Sequence, residues 1–153
     1  MPELSGPRKE TVSDVTTANS EWLTVWVRDM PLALPLDDIR EVMLWVPWQP
    51  GPPAQPGVVG IINVRGTTWP VWDLSRLWGW NPRDPQVETS YVLMEDGDNR
   101  PLGAVIVDRV GWIVEAALVT EGKGLLDARF LGTIAAPETS TDHYVTRLAE
   151  LTV

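Results

Sequence analysis

Residues 1–20 carry mostly Ser, Thr, Pro and charged side chains, with apolar positions following neither a strand nor a helix period, and they read as a flexible tail. From Glu21 the pattern changes. Trp22, Thr24 and Trp26 alternate with Leu23, Val25 and Val27, a strand pattern that stops at Asp29, Met30 and Pro31. Leu32 to Leu36 resumes it after a short turn, which predicts a hairpin. Asp37 to Met43 reads either as a strand or as a helical turn. Pro47, Pro50, Pro52, Pro53 and Pro56 then impose an extended loop that no helix crosses.

Val58 to Val64 and Thr68 to Leu74 are rich in Val, Ile and Trp and are separated by Arg65-Gly66, predicting a second hairpin. Asp73 to Trp78 reads as a short helix capped by Asp73 or Ser75 and stopped by Gly79. After a polar linker over Asn81 to Glu88, Tyr91 to Glu95 and Leu102 to Asp108 flank the turn Asp96-Gly97-Asp98-Asn99, a third hairpin. Its acidic turn lacks the length and closing Glu of a calcium loop and reads as a plain turn.

The chain also repeats. Leu34-x-Leu36-Asp37-x-Ile39-x-x-Val42 recurs 71 residues later as Val105-x-Val107-Asp108-x-Val110-x-x-Ile113, and Val59-Gly60-Ile61-Ile62 recurs at an offset of 72 as Leu131-Gly132-Thr133-Ile134. Two similar halves, roughly 21–88 and 89–153, are each too small to stand alone, so the expected body is a pair of small β-barrels sharing one core.

Composition narrows the function. With 12 basic against 21 acidic residues the chain carries a formal charge of −9, a field that opposes nucleic acid and anionic lipid. The apolar runs are far too short to span a bilayer, so no direct membrane insertion is expected. The N-terminal segment lacks a signal peptide's apolar stretch, and a cytoplasmic protein is expected. The absence of cysteine removes disulfides, thiol nucleophiles and Cys-ligated metals. His143, the single His, reads as a solvated residue at a strand start, and nucleophile, phosphate-cradling and metal motifs are missing. Neighbouring carboxylates such as Asp37 and Asp38 would point to opposite faces of a strand and share no reacting bond. A binding module without catalysis, metal or cofactor is expected.

The concentrated signal is the segment from Gly60 to Leu74: Gly60-Ile61-Ile62-Asn63-Val64-Arg65-Gly66, then Pro70-Val71 and Asp73-Leu74. It resembles the CheW family of chemotaxis adaptors. Leu34-Pro35-Leu36 with Ile39-Arg40-Glu41-Val42, the proline loop 47–56, Leu102 to Val110 and Phe130 to Ile134 fit the same family, so the resemblance spans about Glu21 to Val145. It implies an all-β, CheW-like fold: two small five-stranded SH3-like β-barrels around a shared hydrophobic core, with one or two short helices.

It also implies partners, namely the regulatory domain of a CheA-type histidine kinase and the cytoplasmic tip of a chemoreceptor, in a flagellar, pilus or other kinase pathway. Carried over by position, Ile39 and Gly60 fall where the family faces the kinase, and Glu41 and Arg65 where receptor coupling resides. Each also has a structural reading: Ile39 as a buried strand position, Gly60 as a crowding site, and Arg65 as the ion-pair partner of Glu41 or Asp73. The chain departs from the family in the polar segment Tyr144 to Leu151 and in its nine tryptophans. Trp69, Trp72, Trp78 and Trp80 replace aliphatic residues and are expected in the core. Trp45, Trp48 and Trp112 are the candidates for an exposed contact surface, and they motivate the alternative of a Trp-lined module for a small ligand or carbohydrate.

Overall fold

The computed structural model describes residues 19–52, 55–81, 83–120, 130–136 and 141–148. Its strands are β1 (Asn19–Val27), β2 (Met30–Pro35), β3 (Ile39–Leu44), β4 (Val58–Val64), β5 (Thr67–Trp72), β6 (Ser90–Glu95), β7 (Pro101–Val107), β8 (Arg109–Ala117), β9 (Gly132–Ala136) and β10 (Thr141–Val145). The three expected hairpins are β1–β2, β4–β5 and β6–β7. The ambiguous stretch before Met43 is both things at once, a 3-10 turn over Leu36–Asp38 running into β3. The helix α1 (Leu74–Leu77) is capped by Asp73, whose Oδ1 accepts from Arg76 N at 3.3 Å, and Gly79 at φ 79° follows its end. In the acidic turn, Asp96 Oδ1 accepts from Asp98 N and Arg100 N. The Arg100 bond leads in holding the Asp96 carboxyl below the usual carboxylate range.

The strands form two five-stranded sheets, ordered β8-β1-β2-β10-β9 and β3-β6-β7-β5-β4. Shifting residue numbers by about 71 turns one order into the other: β1 and β2 correspond to β6 and β7, and β3, β4 and β5 to β8, β9 and β10. The repeat is therefore real, and it is intertwined. Each repeat lends its leading hairpin to the sheet built by the other repeat's last three strands. The barrels consequently do not separate at residues 88 and 89, because the crossovers at Leu36–Asp38 and at Asp108 carry the chain from one sheet to the other. Asp38 takes a forked bond from Arg147, at 2.8 and 3.2 Å, and the Asp108 carboxylate accepts from Arg28 N.

Three apolar clusters follow. One, shared between the sheets, collects Leu23, Val25, Leu34, Trp72, Val92 and Val105 with Phe130 and Leu148. A second fills the β3–β7 barrel around Trp69, Val71, Tyr91 and Leu93, and a third fills the other barrel around Trp22, Ala33, Val114 and Ile134. Each barrel closes through one isolated bridge, Gln49 to Ile61 and Val119 to Thr133, at matching places in the repeat. Of the polar segment Tyr144 to Leu151, the described residues end at 148, and among them Val145, Thr146 and Leu148 are buried. His143 also differs from its expected solvated role. It lies fully buried because β10 is an inner strand between β2 and β9, and its ring meets Trp26 edge-on at 5.3 Å. The tail reading for 1–20 falls outside the described residues except at Asn19 and Ser20, which already belong to β1.

Tyr91 gives the second barrel a titratable reporter. Its hydroxyl donates to Val46 O, and burial pushes its phenol up to about 12. A phenol raised above its unfolded value of about 10 stabilises the fold in full below that pH, and the contribution is lost as pH rises toward the folded value. Ultraviolet absorbance titration is expected to show a late phenolate step near that pH, coincident with weakening of the fold. The step disappears in Tyr91→Phe.

Candidate functional site

The motif Asn63-Val64-Arg65-Gly66 builds a tight turn before it builds a surface. Arg65 and Gly66 both have positive φ, 49° and 88°, the two-residue turn that matches strand twist, and Asn63 Oδ1 accepts from Gly66 N at 3.1 Å. Arg65 is thereby carried to the rim, its side chain 69% exposed, where Nη2 donates to the Glu41 carboxylate on β3. Beside this pair Arg40 donates to Glu95 of β6 at 3.0 Å. β3 has a bulge between Ile39 and Glu41, which sets Arg40 and Glu41 against Glu95 and Arg65 in alternating sign. A groove of about 250 Å3 runs between the two pairs over Trp69 and Leu93. The arrangement holds charge and hydrogen-bonding capacity at a surface, and it supplies no nucleophile.

Of the other expected contact residues, Ile39 is half-buried and packs against the shared core. Gly60 is buried in β4 beneath the proline loop, where an added Cβ would lie 2.4 Å from both Gln49 O and Trp48 Cδ1. Crowding explains that glycine. Trp45 and Trp48 are half-buried rather than exposed: the Gln49–Ile61 bridge folds the loop over β4, and the two indoles meet edge to face at 6.3 Å against the barrel core. Trp112 is exposed, at 50%. A bulge between Leu23 and Val25 in the β1–β8 pairing presents it, with the buried Thr24 hydroxyl accepting from Trp112 N at 2.8 Å and donating to Trp112 O at 3.1 Å.

Sequence reasoning missed an apolar row beside the ion pairs. Val42, Leu44 and Val46 are all exposed, Leu44 at 69%, on β3 and its continuation. The signal was present as a period of two, interleaved with Glu41, Met43 and Trp45. Exposed apolar residues grouped next to charged ones mark a contact surface.

Among the described residues no set of three His, Asp or Glu side chains is placed to hold a metal ion, and no helix is long and apolar enough to cross a membrane. No curated protein matches the chain in sequence. Among solved structures, the scaffolding protein TtCheW from Thermoanaerobacter tengcongensis superposes with a TM-score of 0.67 at 20% identity, over 83% of this chain and 88% of that one, which shows the shared fold. A family model of the CheW-like domain matches residues 21–119, including the whole Gly60 to Leu74 segment and the Glu41–Arg65 pair. The chain belongs to the CheW-like domain family.

Proposed function

We propose that this protein is a non-catalytic adaptor of a chemotaxis-type signalling system, working in the cytoplasm to couple a chemoreceptor's cytoplasmic tip to the regulatory domain of a CheA-type histidine kinase. The observation that carries the reading is the Glu41–Arg65 pair, held at the rim by a tight two-residue turn, on a strand whose alternate positions Val42 and Leu44 are exposed. An exposed ion pair of this kind contributes at most about 1 kcal/mol to stability, so a strained Arg there has little structural reason to exist. Its donors are available to a partner's carboxylates. The half-buried Ile39 and the crowded Gly60 would act on the kinase side by shaping the surface rather than by direct polar contact. The alternative of a Trp-lined carbohydrate site has less support, because Trp22, Trp69 and Trp72 are buried and Trp45 and Trp48 are half-buried edge to face, leaving Trp112 as the exposed one of its three candidates.

Arg65→Glu is expected to weaken association with a receptor-tip fragment by about tenfold or more, the effect of setting like charges against each other at an interface. Its thermal transition should stay close to that of the parent. Gel filtration and calorimetry with the receptor fragment and with the kinase regulatory domain read both arms. Absence of binding to either partner by the unsubstituted chain, or receptor binding indifferent to Arg65→Glu, would refute the reading.

A further inference from the structure

A larger concavity lies elsewhere, on the seam between the barrels. A groove of about 670 Å3 runs between the β1–β2 turn and the segment after α1, lined by Arg28, Asp29, Met30, Trp80, Asn81 and Arg83. It adjoins a second groove of about 350 Å3 that shares Arg28, Asp29 and Arg83 and adds Trp26, Glu88, Asp108 and Arg109. The indole of Trp80 packs against the shared core and meets Trp78 at 5.3 Å, so its position is fixed. Arg83 sits 3.5 Å from Asp108, and Arg109 stacks 3.9 Å over Trp26.

Arg28 is the informative residue. It has φ 59°, a left-handed conformation that a long side chain adopts at a cost. The corresponding turn of the other repeat, 71 residues on, has Asn99 at φ 62°, the residue type suited to that conformation. The chain thus keeps an Arg where its own second copy of the turn uses Asn. Asp108 holds the Arg28 backbone N–H, and Asn81 O takes one guanidinium donor. The Arg28 side chain lines the open groove. Positions that break a local rule while the fold around them holds are where function is expected.

We propose that this seam binds an acidic peptide segment carrying an apolar side chain, its carboxylates on Arg28 and Arg83 and its apolar group over Trp80 and Met30. Forked guanidinium donors match carboxylate geometry, and the two grooves joined through Arg28 and Arg83 are longer than one small acid would fill. The surface is separate from the Glu41–Arg65 rim, so its occupancy does not depend on the adaptor reading.

The full chain titrated with acetyl-Glu-Leu-Glu-Phe-amide is expected to show saturable heat, with a shift of an indole N–H resonance that is missing in Trp80→Phe. The affinity should fall about tenfold in Arg28→Asn or Arg83→Gln, the loss of one charge-assisted contact, and fall with added salt. Arg28→Asn installs the residue of the equivalent turn and should keep a cooperative thermal transition. No binding at millimolar peptide, equal binding of acetyl-Gln-Leu-Gln-Phe-amide, or an unchanged affinity in Arg28→Asn would overturn the proposal. N-acetylglutamate binding as tightly as the peptide would overturn the peptide assignment in favour of a small carboxylate.

Discussion

Trp72→Ala is expected to lower the unfolding free energy by about 3–5 kcal/mol, a large fraction of the whole for a domain of this size. Trp72 ends β5 inside the shared core, 1% exposed, and its Nε1 donates to Leu102 O at 3.2 Å. Two glycines are shaped around it. A Cβ at Gly103 would lie 2.2 Å from Trp72 Cδ1, and one at Gly57 would lie 3.2 Å from Cε3. Truncation therefore leaves a hole that backbone on two sides was positioned to surround, and it strands the Leu102 carbonyl without its donor. Denaturant unfolding of the two proteins measures the difference. A loss under about 1 kcal/mol would mean the surrounding strands collapse to fill the space, contrary to the packing described.

The second expected result concerns the chain cut between residues 88 and 89. Neither fragment should fold alone, and an equimolar mixture should recover the strand spectrum and one cooperative transition. Among the described residues, four of the eight strand ladders cross the cut: β1–β8, β2–β10, β3–β6 and β5–β7. What stays within a fragment is two isolated hairpins, and hairpins of that kind are marginal in water. Far-ultraviolet circular dichroism of each fragment and of the mixture decides the matter. A cooperative transition in either fragment by itself would contradict the exchange of hairpins.

These two results also mark where sequence reading succeeds. The hairpins were legible because Arg65-Gly66 and Asp96-Gly97-Asp98-Asn99 are strong turn signals between period-two runs. The repeat was legible from Val59 to Ile62 and Leu131 to Ile134. Which sheet receives each hairpin was not, because alternation records that a face is buried and not what buries it. The same blindness put His143 in solvent and Trp45 and Trp48 on the surface: one is covered by neighbouring strands distant in sequence, the others by a loop folding back. Of the site, the Glu41–Arg65 pairing was among the readings open to sequence, since a turn Arg must find some carboxylate nearby. Arg28 went unnoticed. Its signal lay in the comparison with Asn99, which requires knowing that the repeat extends to the turns.

The closing bridges at Ile61 and Thr133 have one more consequence. Each occupies the backbone of a sheet's last strand, at the middle of β4 and near the start of β9, while the strands at the opposite ends, β3 and β8, carry bulges at Arg40 and at Gly111 and Trp112. All four border strands are thus spoiled as templates for a foreign strand, so partners must engage side chains instead of extending a ladder. A neighbour of like fold is thereby hindered from extending either sheet edge to edge.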